Sequence, residues 1–197
     1  MQTYSPAKLG QKVLECKLSH ARCIVDATAG NGRDTLFLAK NSNEQAKIWA
    51  FDIQEEAISS AKKLLDDAGY QQKVVFILDS HVNVEKYVRE TVDIAMFNLG
   101  YLPRGNHSIT TNFNSTLEAV QHILEILSVG GIVTIIAYPG HRQGEEEYHA
   151  LELFLRQLEP TFYTVGCWNL INHSPKAPVL YVIEKARSEV REGITSR

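Results

Sequence analysis

Apolar residues along this chain fall into short continuous runs, separated by longer stretches in which they recur every three or four positions. The runs predict buried strands and the recurring positions predict amphipathic helices. Leu9, Val13, Leu14 and Leu18 share one helical face behind Ser5-Pro6, a pair suited to an N-cap and first helical position. Cys23, Ile24 and Val25 then form a strand ending at Asp26, and a helix runs from Asp34 or Thr35 to about Asn41. Lys47 to Ile53 predicts a second strand with Asp52 at its tip, and Glu55 to Ala68 a helix stopped by Gly69. A buried third strand is expected over Val74 to Leu78, a fourth over Val92 to Leu99, a helix over about Thr116 to Leu127, and a fifth strand over Ile132 to Tyr138 after Gly130-Gly131. Glu145 to Leu158 reads as a helix opening on three acids, where the macrodipole favours them. Two extended segments, Phe162 to Ile171 and Ala177 to Lys185, have no helix between them and predict an antiparallel pair. The tail from Arg187 is polar.

Strands alternating with helices imply right-handed crossovers and a sheet covered on both faces. The expected fold is doubly wound α/β: a mostly parallel, seven-stranded, Rossmann-like sheet with an antiparallel C-terminal hairpin. At 197 residues the chain fits a single domain. Hydrophobic residues at 44% and charged residues at 22% are ordinary for a soluble globular protein and argue against disorder. Cys16, Cys23 and Cys167 have no metal-type spacing and cannot all pair, so reduced thiols and a cytoplasmic location are expected. No apolar run approaches the roughly 18 residues of a membrane span. A net charge of -3 carries no polycationic footprint, so any nucleic-acid contact must be local.

Ligands of open α/β sheets sit beyond the carboxyl ends of the strands, and here those ends carry chemistry. The first strand runs into Asp26-Ala-Thr-Ala-Gly30-Asn-Gly32-Arg-Asp34-Thr35, a turn with little side-chain bulk that lets a ligand approach the backbone. A dinucleotide fingerprint needs a third glycine for close helix packing, and a P-loop needs Gly-Lys-Ser/Thr; both are missing. A nucleoside-bearing cofactor without a pyrophosphate remains. The pattern Asp26-x-x-x-Gly30-x-Gly32 resembles the first motif of class I S-adenosylmethionine (SAM) methyltransferases, with Thr28 where that motif commonly has its first glycine. Ala29, Gly30, Asn31, Gly32 and Asp34 are the candidate cofactor contacts in this turn. Asp52 lies about 20 residues further on, the spacing at which an acid at the second strand's tip meets a ribose, and Gln54 lies beside it. Ser80 and His81, after the third strand, are placed to read an adenine edge.

The fourth strand ends in Asn98-Leu99-Gly100-Tyr101-Leu102-Pro103. An amide oxygen, a glycine that admits close approach and a ring for stacking suit a nitrogen nucleophile attached to a base. The segment resembles the Asn/Asp-Pro-Pro-Tyr motif of amino methyltransferases, with Leu99 and Gly100 replacing both prolines. Together with Phe51 to Gln54, Ser80-His81 and Tyr138-Pro-Gly-His141, these motifs resemble the YtqB/MnmM family, long labelled rRNA methylases, over nearly the whole chain.

That resemblance implies methylation of the 5-aminomethyl group of the wobble 2-thiouridine in tRNA, with SAM as cofactor and no metal. It further implies that Asn31, Asp52, Gln54, Ser80 and His81 hold SAM. Asn98 would lie where cofactor and acceptor meet, and Tyr101, Tyr138 and His141 would face the nucleoside as its catalytic partners. Leu99, Gly100, Pro103, Arg104 and Arg142 complete the expected substrate contacts, with Arg104, Asn106, His107, His141 and Arg142 as a small basic rim for an anticodon stem-loop. A homodimer is compatible with these features. Two alternatives are a SAM methyltransferase for another RNA base, a protein or a small amine, and a non-catalytic SAM-binding regulator.

Overall fold

In the computed structural model, residues 5–100, 113–140 and 142–188 are described. Helix α1 (Pro6–Leu18) is capped by Ser5, whose hydroxyl accepts the Lys8 N–H at 3.4 Å. The chain then alternates β1 (Cys23–Asp26), α2 (Arg33–Asn41), β2 (Lys47–Asp52), α3 (Glu55–Asp67), β3 (Val74–Leu78), α4 (Val84–Tyr87), β4 (Val92–Asn98), α5 (Phe113–Ile126), β5 (Leu127–Ala137) and α6 (Arg142–Arg156). It closes with β6 (Tyr163–Trp168) and β7 (Val179–Lys185). The strands form one seven-stranded sheet in the order β3-β2-β1-β4-β5-β7-β6. The first five are parallel, while β7 runs antiparallel to both β5 and β6. This is the doubly wound architecture expected from the pattern, including its antiparallel close.

Alternate residues of each central strand enter opposite halves of the core, as the pleat requires. On β4, Ile94 and Met96 pack with Leu14, Leu38 and Leu65 from α1, α2 and α3. Ala95 and Phe97 face the other way, toward Ala119, Ile123 and Leu151 of α5 and α6. All four β1 residues are buried, including the charged Asp26.

Three local expectations need correction. Strand β3 is half-buried because it ends the sheet and has a neighbour on one side alone. Strand β5 starts at Leu127, directly after α5, so Gly130-Gly131 lies within the strand and not before it. The register slips there, with Val92 opposite Leu127 but Ile94 opposite Ile132, and Gly130 takes up the irregularity with φ +79°. The Lys17 ammonium fixes it by donating to the Gly130 carbonyl at 2.7 Å. Helix α4 was not foreseen; its single turn is anchored by the buried Val84. Among the described residues no helix is long and apolar enough to cross a membrane.

Parallel register brings the functional ends together. Asp26 pairs with Ala50 of β2 and Met96 of β4, Asp52 with Leu78 of β3, and Asn98 with Ile136 of β5, so the carboxyl ends form one edge. The turn from β1 into α2 occupies its middle.

Gly32 caps α2 with φ +79°, and a Cβ there would lie 2.8 Å from both Cα and Cβ of Ala61 on α3. Gly69 also has positive φ, +77°, but open space around it. Gly69→Ala should therefore lose about 1 kcal/mol of unfolding free energy, the left-handed backbone cost alone. Gly32→Ala adds overpacking and should lose about 2–5 kcal/mol in urea unfolding. Equal losses would mean that α2 and α3 separate freely.

Candidate active site

The turn at Ala27–Gly32 is held from below, from the side and from its far end. Beneath it, the Asp26 carboxylate accepts the Thr28 N–H at 3.2 Å and the Thr35 hydroxyl at 2.6 Å, joining the end of β1 to the first turn of α2. Asp26 is fully buried. Burial, reinforced by the charge of Asp34, pushes its carboxyl up to about 7. At the side, the two oxygens of Asp52 accept the Gly30 and Gln54 N–H groups, each at 2.9 Å, so the acid at the tip of β2 grips the loop. Each oxygen keeps a lone pair for a hydroxyl outside. The Ala29 N–H donates to the Phe51 carbonyl at 2.8 Å and the Ala27 N–H to that of Met96 at 2.9 Å.

His81 lies under this turn. Its ring is 6% exposed, edge-on to Phe97, and its Nδ1–H donates to the Ala27 carbonyl at 3.1 Å. Burial holds its basicity below the usual histidine range. The Nε2 is therefore a bare, buried acceptor without a partner among the described residues. Ser80 caps the short turn at His81–Asn83, its hydroxyl accepting the Val82 N–H at 3.4 Å. Asp79, the third polar residue after β3, accepts from Ser80 N–H, the Asn83 amide and the Tyr87 hydroxyl at 2.7, 2.9 and 2.8 Å; it secures α4.

On the other side of the turn, Asn98 ends β4. Its backbone N–H donates to the Thr28 hydroxyl at 2.7 Å, its amide NH2 donates to Asp34 at 3.0 Å, and its amide oxygen accepts the Tyr138 hydroxyl at 2.9 Å. These partners fix which way the amide points. Asp34 takes a further bond from the Gln11 side chain of α1 at 2.8 Å. Burial, with the charge of Asp34 adding to it, raises the Tyr138 phenol above its ordinary value, so it stays a protonated donor. A Cβ on Gly100 would touch the Tyr138 ring at 3.4 Å, which puts that glycine against the ring.

The structure thus brings Ala29, Gly30, Gly32, Asp34, Asp52, Gln54, Asn98, Gly100 and Tyr138 to one edge, with Ser80 and His81 bordering it. Asn31 is exposed at the crest of the turn and Leu99 is fully buried behind it. Tyr101, Pro103, Arg104, Asn106, His107 and His141 lie outside the described residues, as does the side chain of Arg142. Pattern reading missed Gln11 and Thr28, whose roles depend on tertiary contacts. It also missed Ile53 and Leu78, 48% and 53% exposed beside Asp52, although apolar residues at the ends of strands were a visible signal. Apolar surface next to an acid that keeps free lone pairs suits a nucleoside. The carboxylates of Asp34 and Asp52 repel a pyrophosphate and favour a cationic ligand. These features fit SAM.

Comparison with known proteins bears on this geometry. Residues 48–184 match the family model described as "Putative rRNA methylase". The chain belongs to that family. A "putative rRNA-methylase" structure from Clostridium thermocellum is 36% identical, covering 94% of this chain and 100% of that one, with a TM-score of 0.90. A "putative methyltransferase" of Streptococcus mutans, solved with SAH, is 35% identical over 93% of this chain and 99% of its own, at a TM-score of 0.84. A chloroplastic tRNA (mnm5s2U34)-methyltransferase of Arabidopsis thaliana is 37% identical over 172 residues, 82% of this chain. The chain spans 62% of that plant protein's length.

The buried Asp26 makes a pH test available for this methylase family's loop. Its folded pKa, about 7, lies above an unfolded value near 3.9, so Asp26 binds a proton on folding between those limits. Its contribution is most favourable below about pH 4, falls by about 1.4 kcal/mol per pH unit as pH rises, and is level above about pH 7. Asp26→Asn keeps the Thr28 and Thr35 contacts and should remove this component. Urea unfolding from pH 4 to 8 should show the variant gaining on the natural protein as pH rises; parallel profiles would mean that Asp26 is ionised throughout.

Proposed function

We propose that this chain transfers the methyl group of SAM to the primary amine of 5-aminomethyl-2-thiouridine at the tRNA wobble position, giving the 5-methylaminomethyl form. The observation that carries the reading is the Asn98 amide, oriented by Asp34 and Tyr138, on the strand beside a turn gripped by Asp52. The name of the plant relative supplies the nucleoside, and the SAH bound to the streptococcal relative supports the cofactor.

Asp52 would hold the ribose of SAM, with Ile53 and Leu78 against its base. When bound, SAM supplies an electrophilic sulfonium methyl. The protein's task is then mostly positioning, since the attacking nitrogen must approach in line with the breaking bond. The free lone pair of the Asn98 amide oxygen can accept an amine N–H and aim the nitrogen's lone pair. An alkyl amine with a Lys-like pKa near 10 is mostly protonated at pH 7, and baring it costs roughly 4 kcal/mol. Desolvation of the bound amine lowers that cost, and a carboxylate beside it raises it.

Recognition of tRNA would concentrate on one base splayed into the pocket, with the anticodon stem-loop as the minimal substrate and Arg104 and Arg142 at its phosphates. This accommodates the net charge of -3. The three cysteines are free, as a cytoplasmic location would keep them. The assembly is a homodimer in this reading; β6, at the edge of the sheet, offers backbone groups to a second copy.

Incubation with methyl-labelled SAM and tRNA from cells lacking the modification should place label on 5-aminomethyl-2-thiouridine, detected by mass spectrometry of digested nucleosides. A synthetic stem-loop carrying that base should also react. Label on another nucleoside, or on none, would overturn the reading. Asn98→Ala should lower kcat about 100-fold while leaving SAM affinity within about threefold, because misplacing the amine costs rate and not cofactor binding. Equal losses would assign Asn98 to the cofactor.

A further inference from the structure

Four side chains from four separate elements form one chain of hydrogen bonds across the acceptor side of the site: Gln11 to Asp34, Asn98 to Asp34, and Tyr138 to Asn98, at 2.8, 3.0 and 2.9 Å. Asp34 is the anion in this chain. Its two oxygens are engaged by Gln11 and Asn98, which tie it to α1 and to the end of β4. Among the described residues, the neighbouring ionisable groups do not supply a charge there. Tyr138 is a protonated donor, and Asp26 points beneath the turn to Thr28 and Thr35. His81 is neutral and sealed below Ala27.

We infer that Asp34 is the residue that selects an aliphatic amine as methyl acceptor, and that Gln11 of α1 is the positioning residue that holds it. This rests on the proposed methyl transfer to an amine. Nitrogen becomes positively charged as it gains the methyl, so a fixed carboxylate beside Asn98 stabilises that charge as it develops. Water would have to reorient to do the same. An oxygen acceptor that is deprotonated before it attacks develops no positive charge and gains nothing, and an acceptor that carries its own carboxylate is repelled. The same carboxylate favours the ammonium form of the bound substrate before reaction, raising its pKa. The groups that modulate this charge are Asp26 on β1, Tyr138 after β5 and the Gln11 amide on α1.

The test is the pH dependence of kcat on a stem-loop bearing the 5-aminomethyl group. In the natural protein kcat should rise with pH as the bound ammonium loses its proton. Asp34→Asn should lower kcat/KM about 100-fold and move that rise at least one pH unit lower, since removing the charge makes the bound ammonium a stronger acid. Gln11→Ala should lower kcat/KM about tenfold, and Gln11→Glu should not restore it because two carboxylates repel. Urea unfolding separates these effects from misfolding: Asp34→Asn and Gln11→Ala should both keep the single cooperative transition of the natural protein. A natural protein that methylates the stem-loop, together with an Asp34→Asn variant whose pH rise is unmoved, overturns the role of Asp34. An unreactive stem-loop with the natural protein refutes the amine reading itself.

Discussion

The β1–α2 turn depends on carboxylates that are committed to protein N–H and O–H groups before any ligand arrives. Asp26 closes its base through Thr28 and Thr35, and Asp52 grips its crest through Gly30. The glycines give the turn its path, with Gly32 packed against Ala61 so closely that no side chain fits. Without these bonds a stretch this poor in side chains would sample many shapes. Rigidity bought this way has a cost, since Asp26 is held in a site that disfavours its charge.

The same turn couples the two halves of the site. Thr28 accepts the Asn98 backbone N–H and Asp34 accepts the Asn98 side chain, so the residue expected to meet the acceptor is registered to the loop expected to meet the cofactor. In an in-line transfer the distance between those two ligands decides the rate. Parallel pairing of β1 with β2 and β4 makes that distance a property of the sheet, which its apolar core holds in place.

Much of this was legible in the sequence because the informative residues are consecutive. Asp26 to Thr35, Phe51 to Gln54 and Asn98 to Gly100 each follow an apolar run, and a parallel sheet must bring such ends to one edge. What stayed hidden depends on contacts between distant elements. Nothing near Gln11 marks it as a partner of Asp34, 23 positions away. Nothing near Asp79 marks Tyr87, eight positions on, as the partner through which it secures α4. Gly130-Gly131 read as a break because glycine weakens a strand, whereas here β5 pairs with β4 on both sides of them, at Leu127 and from Ile132 onward.

The central claim is that Asp52 both grips the turn and holds the cofactor's ribose, and calorimetric titration of Asp52→Ala with SAH tests it most directly. Loss of hydrogen bonds to a charged group, about 1.5–3 kcal/mol, should weaken SAH binding roughly 10- to 150-fold relative to the natural protein. An unchanged affinity in a folded variant, or a natural protein that binds NAD more tightly than SAH, would contradict the account.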